Sequence, residues 1–159
     1  MARDRIGDAG AQWLERRVLL VLTFILFLTF LDTTIMSVAA VNLQETLHTS
    51  VSDLQWIING YALMFAALMM AFGTLGDRLG RKRVMLGGVV VFIIGSVMGA
   101  LAPNTWVLVA ARGVMGVGAA ACEPGTLSVL RQIYPERGAR ARAIGWWAAM
   151  AGLALAMGP

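Results

Sequence analysis

Charged side chains are scarce in this sequence. Asp, Glu, Lys and Arg make up 14% of the 159 residues, where a soluble domain carries about 25%. The single cysteine, Cys122, cannot form a disulfide within the chain and has no companion thiol for a metal site, so redox and zinc chemistry are not expected. No membrane-facing nucleophile, paired carboxylates or metal cluster is present in the sequence, which argues against an enzyme. The shortage of polar residues also excludes the disordered class. Apolar character is what abounds, with 58% hydrophobic residues, 18 glycines and a mean hydropathy of +0.73. Such a composition belongs to an all-α integral membrane protein.

A hydrocarbon core about 30 Å thick is crossed by about 20 apolar residues in a helix. Five runs of that order occur, at 18–40, 56–75, 84–102, 106–128 and 143–159. Residues 18–159 are therefore expected to form a transmembrane region behind a cytoplasmic segment at 1–17. The net charge of +4 would suggest nucleic acid if the basic residues formed a patch. Instead Arg3, Arg5, Arg16 and Arg17 precede the first run, Arg78, Arg81, Lys82 and Arg83 follow the second, and Arg131, Arg137, Arg140 and Arg142 follow the fourth. Loops 41–55 and 103–105 hold no Lys or Arg. By the positive-inside rule the N-terminus is cytoplasmic, and the basic excess reports topology rather than nucleic acid. Arg16 and Arg17 before an apolar run, with Ser37-Val38-Ala39 after it, faintly resemble a signal peptide; the length of the run, Asp32 within it and the four further runs make it an uncleaved helix.

Three ionisable residues fall inside the runs: Asp32, Arg112 and Glu123. Each costs about 2.5–3.5 kcal/mol at the centre of a membrane helix and so needs a partner or a water-filled cavity. At about 1.5 Å per residue, Asp32 lies ~21 Å from the cytoplasmic end of the first helix. Arg112 lies ~9 Å below the outer end of the fourth, which in a core of about 30 Å is the same level. The two could lock helices together or face one cavity. Thr29, Asp32, Thr33, Met36 and Ser37 share one arc of the first helix as a polar stripe. Arg112 and Glu123 are eleven residues apart on one face, ~16 Å along the axis and too far for an ion pair. Glu123, just before Pro124, is either an interfacial residue wetted by headgroups or a functional one. Gly95-x3-Gly99 and the small residues of the fourth helix allow close helix approach, and the methionines of the second run suit adaptable apolar packing.

The segment from Gly73 to Arg83, Gly-Thr-Leu-Gly-Asp-Arg-Leu-Gly-Arg-Lys-Arg, is the densest motif. It is a tight basic turn in which Gly76 and Gly80 are expected to supply backbone freedom. A topogenic turn at the anionic leaflet accounts for its cations. Asp77 is the odd member, a lone acid that needs a neighbouring arginine or a helix N-terminus as donor.

That turn resembles the loop between the second and third helices of the major facilitator superfamily, G-x-L-x-D-R-x-G-R-K, matched from Gly73 to Lys82. Leu31-Asp32-Thr33-Thr34-Ile35 through Ala39 is similar to the first-helix motif of its fourteen-span drug:proton antiporter branch (the EmrB/QacA type). Leu54-Gln55-Trp56-Ile57-Ile58-Asn59-Gly60-Tyr61 resembles the opening of the second helix of that branch. Ala110-Ala111-Arg112 with Gly116, Gly118 and Ala120 resembles its fourth-helix arginine motif, and Gly158-Pro159 the start of its fifth-helix antiporter motif. The resemblance implies a major-facilitator helical bundle, represented by the five N-terminal transmembrane helices of an incomplete N-terminal half. It implies a multi-pass exporter of the plasma membrane, driven by the proton gradient without a cofactor. Asp32 would couple protons to substrate and Arg112 would tune it, while Gly73, Asp77, Arg78, Gly80, Arg81 and Lys82 would form a conformational latch. Glu123, standing where the family usually has an apolar residue, would favour hydrophobic cationic substrates or carry a second proton. Since such transporters are built from inverted three-helix repeats with the substrate site between halves, the remaining helices are expected partners and this length alone is expected to be inactive. The alternative is a non-transporting membrane fragment that assembles or interferes with a full-length transporter.

Overall fold

A computed structural model describes residues 17–36, 38–39 and 49–157. They form five helices: α1 (Arg17–Met36), α2 (Val51–Leu79), α3 (Arg81–Ala100), α4 (Thr105–Ile133) and α5 (Arg137–Met157), with no strand among the described residues. The expected all-α membrane fold is what forms. Four of the helices, α1 to α4, are long and apolar enough to cross a membrane. The fifth carries Arg137, Arg140 and Arg142 in its first two turns, with its apolar stretch following. The expected fifth span, 143–159, lies within α5 as far as residue 157.

Helix ends depart from the ends of the apolar runs, because local hydrogen bonding rather than hydropathy sets them. α2 starts at a capping box: Ser50 Oγ accepts from the Asp53 amide at 3.2 Å, and Asp53 Oδ2 accepts from the Ser50 amide at 3.0 Å. The last five residues of the expected outer loop, 51–55, are therefore helical. At its other end α2 continues through Gly76 to Leu79 and stops at Gly80, whose φ of 96° only glycine adopts without strain. That one residue is the whole connection to α3. Gly76, expected to loosen the turn, is instead helical and buried, lying 3.7 Å from the Arg81 stem as judged from an added Cβ. α4 starts at Asn104, whose Oδ1 accepts from the Val107 amide at 3.0 Å. It runs through Pro124 without ending, and stops at Tyr134 just before Pro135.

α4 is the central helix. Its most apolar stretch is 56% buried, against 11% for α2 and 17% for α3. Glycines bring the backbones together on two sides of it. A Cβ on Gly118 would sit 2.5 Å from the Phe92 amide nitrogen, and one on Gly88 2.7 Å from the Gly118 carbonyl, so α3 and α4 touch backbone to backbone. On the α2 side, Gly116 faces the Tyr61 carbonyl, and a Cβ on Gly60 would meet the Val109 carbonyl at 3.3 Å. Of the expected Gly95-x3-Gly99 pair, Gly95 is tight against Met115 but Gly99 has ordinary room, 3.7 Å to Ala111 and Leu108. The working α3 pair is Gly88 and Gly95, two turns apart on one face. At the end of the bundle where α1, α3 and α5 begin, Leu22, Met85, Cys122, Leu130 and Ala143 close a core from four helices. The outward faces stay apolar: Leu20, Phe24, Met70, Val90 and Ile93 are all exposed, as lipid contact requires.

Candidate functional site: a buried ion pair between α1 and α4

The polar stripe of α1 is made compatible with burial by local bonding. Thr29 and Thr33 of the stripe, like Thr23 two turns earlier, each donate a hydroxyl hydrogen to their own helix, to the carbonyls of Leu26, Phe30 and Leu19 at 2.8, 2.6 and 2.8 Å. Asp32 has no such recourse, because a carboxylate only accepts. Its partner is Arg112, whose Nη1 donates to Asp32 Oδ2 at 2.5 Å. The equal depth obtained by counting residues is thus realised as direct contact. The arginine side chain is 3% exposed and the aspartate 16%.

Among the described residues the rest of the guanidinium meets no oxygen acceptor. Its central carbon lies 4.6 Å from the centroid of the Tyr61 ring on α2, and Nη1 is 3.9 Å from the Met115 sulfur. Tyr61 is 6% exposed and stacks on Phe65, ring centroids 6.1 Å apart and 6° from parallel. Arg112 Nε is buried with no hydrogen-bond partner. Removing two charges from water costs several kcal/mol per ion, recovered only by close geometry and further bonds. Here one strong charge-assisted contact and one aromatic face supply that recovery, leaving a pair that is tightly placed yet incompletely satisfied.

Glu123 is not part of this cluster. It is half-buried further along α4, and among the described residues no hydrogen bond or ion pair reaches its side chain. Its carbonyl accepts from Thr126 Oγ1 at 2.8 Å, and that hydroxyl in turn accepts from the Trp147 indole of α5 at 3.2 Å. In the basic turn, Asp77 finds its donor one helical turn on, Arg81 Nη2 at 2.6 Å across Gly80. Arg78 and Lys82 are exposed, and Gly73 packs against Pro124 of α4 at 3.9 Å from an added Cβ. A cavity of about 1060 Å³ opens beside this turn, reached by Arg17, Arg81, Lys82 and Arg83 and walled by Leu22, Met85 and Val129. The basic ends of α1, α2, α3 and α4 therefore gather at one end of the bundle. Ser37, Gly158 and Pro159, together with Arg3, Arg5 and Arg16, lie outside the described residues.

Tyr61 is the site residue that the depth argument was able to reach and did not. It lies five residues inside the outer end of the second apolar run, ~8 Å down, level with Arg112. An aromatic ring at the depth of a buried cation was the available signal.

The chain matches the Major Facilitator Superfamily model over residues 22–159. The chain belongs to that family. It is 40% identical over 142 residues to the methylenomycin A resistance protein of Bacillus subtilis (strain 168), covering 89% of this chain and 30% of that one. It is 39% identical over 141 residues to the multidrug efflux pump LfrA of Mycolicibacterium smegmatis, covering 89% of this chain and 28% of the pump. The crystal structure of a bacterial homolog of the human lysosomal transporter Spinster, inward-facing and unoccupied, superposes with a TM-score of 0.78 at 29% identity, over 88% of this chain and 29% of that one. The chain thus spans under a third of the length of these major-facilitator relatives, and its helices correspond to one portion of their bundle.

Proposed function

We propose that this chain supplies N-terminal helices of a proton-coupled exporter of hydrophobic small molecules in the plasma membrane, with its N-terminus in the cytoplasm. The observation that carries the reading is the buried Asp32–Arg112 pair: one carboxylate and one guanidinium, joined among the described residues by a single contact. A proton delivered to Asp32 removes the charge that Arg112 Nη1 faces, so one protonation event changes what ties α1 to α4. A cationic substrate competes for the same carboxylate, which gives antiport its exclusivity: proton and substrate draw on one negative charge. Drug-resistance and efflux proteins among the relatives support export as the direction. The twelve basic residues on one side support a cytoplasmic N-terminus. In this scheme the Asp77–Arg81 turn is the cytoplasmic latch and Glu123 a second acid that selects for cations.

The test is dye efflux from vesicles carrying the transporter that contains this segment, with an imposed proton gradient. Asp32→Asn is expected to abolish gradient-driven efflux while leaving the protein in the membrane. Unchanged efflux with unchanged pH dependence refutes the coupling role. Glu123→Gln is expected to spare neutral dyes and impair cationic ones; equal loss of both, or loss of neither, refutes the selectivity role. Proton-coupled efflux by the reconstituted 159-residue chain alone would show that no further helices are needed.

A further inference from the structure

We propose that Tyr61 is a positioning residue that keeps the Arg112 guanidinium in place when Asp32 carries no charge. The inference rests on the reading of Asp32 as a carboxylate that gains and loses a proton. Arg112 is almost wholly buried and has, among the described residues, a single oxygen partner, Asp32 Oδ2. When that oxygen becomes neutral, an arginine with no other support leaves for water, and the site is not ready for the next cycle. The structure holds a second support that does not titrate with Asp32. The guanidinium carbon lies 4.6 Å from the Tyr61 ring centroid, and the ring face attracts a cation whatever the state of the carboxylate.

The ring is itself fixed. Phe65, one turn further along α2, stacks on it within 6° of parallel. On α4, Gly116 has no side chain, which lets the Tyr61 backbone press against that helix; an added Cβ would collide with the Tyr61 carbonyl and, at 3.2 Å, crowd the Met64 side chain. A bulkier residue at Gly116 would therefore move the ring away from Arg112 by moving α2. Among the described residues Asp32 from α1 is the charged group in contact with the guanidinium, and Glu123 stands three turns along α4. Arg112 thus has a switchable partner on α1 and a constant one on α2. That division makes the protonation event a change in the α1–α4 tie alone.

The experiment uses the 159-residue chain in lipid nanodiscs, with Asp32→Asn standing for the protonated state, and needs no transport. Modification of Arg112 by phenylglyoxal is followed by peptide mass mapping, and Cys122, buried at 1% exposure, reports by its resistance to maleimide that the bundle is intact. In Asp32→Asn the Arg112 rate is expected within about twofold of the unaltered chain, and in Asp32→Asn with Tyr61→Leu about 10-fold or more above it. Tyr61→Phe in the same background is expected to restore protection, since the ring face and not the hydroxyl does the holding. Arg112 equally protected with Leu and with Tyr, Cys122 being unreactive in both, overturns the proposal. Should Leu open the bundle, the Asp32→Asn chain decides alone. Its Arg112 Nε–H resonance is expected to keep the ring-current displacement of the unaltered chain, and movement to the solvent value overturns the proposal. Loss of efflux coupling in the vesicle assay bears on the Asp32 reading and leaves this measurement standing.

Discussion

Gly118→Ala adds one methyl group to a backbone-to-backbone helix contact between α3 and α4. The new Cβ would sit 2.5 Å from the Phe92 amide nitrogen, 2.7 Å from the Gly88 carbonyl oxygen and 2.8 Å from the Phe92 Cα. All three are backbone atoms of α3, so no side chain can rotate away. Since unstrained heavy atoms keep about 3.5 Å apart, α3 must retreat by about 1 Å, and a gap of that size forfeits up to half of the dispersion attraction along the seam. Overpacking of this kind costs about 1–3 kcal/mol, and an immovable backbone puts the cost at the upper end. Alanine's better helix propensity returns about 1 kcal/mol, leaving a net loss of about 2 kcal/mol, or roughly 30-fold in the unfolding equilibrium. Gly87 is the control. It lies on the same stretch of α3 with nothing within 4 Å of an added Cβ, so Gly87→Ala keeps only the propensity gain. Denaturant titration of the purified chain in mixed micelles, read by tryptophan fluorescence, measures both. Equal midpoints for the two variants, or a more stable Gly118→Ala, would refute the backbone contact between α3 and α4.

Three further changes probe the other contacts. Arg112→Leu leaves the Asp32 carboxylate without its partner and should cost about 3–5 kcal/mol in the same titration, whereas Asp32→Leu with Arg112→Leu should recover most of that loss, because a buried pair is replaced by apolar packing. Ser50→Ala removes half of the capping box and should cost about 1 kcal/mol, with faster amide exchange confined to the first turn of α2. Asp77 is 58% exposed in its pair with Arg81, so Asp77→Asn should change stability by less than about 1 kcal/mol. Lost efflux without lost stability in that variant is the outcome that the latch role requires.

The sequence was most legible where the bilayer dictates it. About 20 apolar residues per crossing is a demand of thickness, and four of the runs appear as helices that meet it. The Asp32–Arg112 pair was legible for a related reason: depth along a helix is a matter of counting, and two opposite charges at one depth have few other destinations. Rotation about the helix axis was not legible. α3 is apolar on every side, so nothing in its composition says that Gly88 and Gly95, rather than Gly95 and Gly99, face α4. Tyr61 was missed on the same account, since its depth was available but its bearing toward Arg112 depends on how α2 is turned. Helix ends were missed by neglect of local chemistry. Ser50-x-x-Asp53 is a capping pattern visible in the sequence, and it starts α2 five residues before the apolar run does.

Gly80 bears on how the protein is made. A single residue separates the last turn of α2 from the first turn of α3, so the ribosome delivers the two helices with no slack between them. A one-residue connection favours entry into the bilayer as one hairpin, since once both helices are out of the ribosome their cytoplasmic ends cannot separate, and the charged apex of Arg78, Arg81, Lys82 and Arg83 is expected to stay behind as its anchor. Spacer residues inserted after Gly80 would let each helix insert on its own, and the tight turn is in that sense an instruction for assembly as much as a part of the finished bundle.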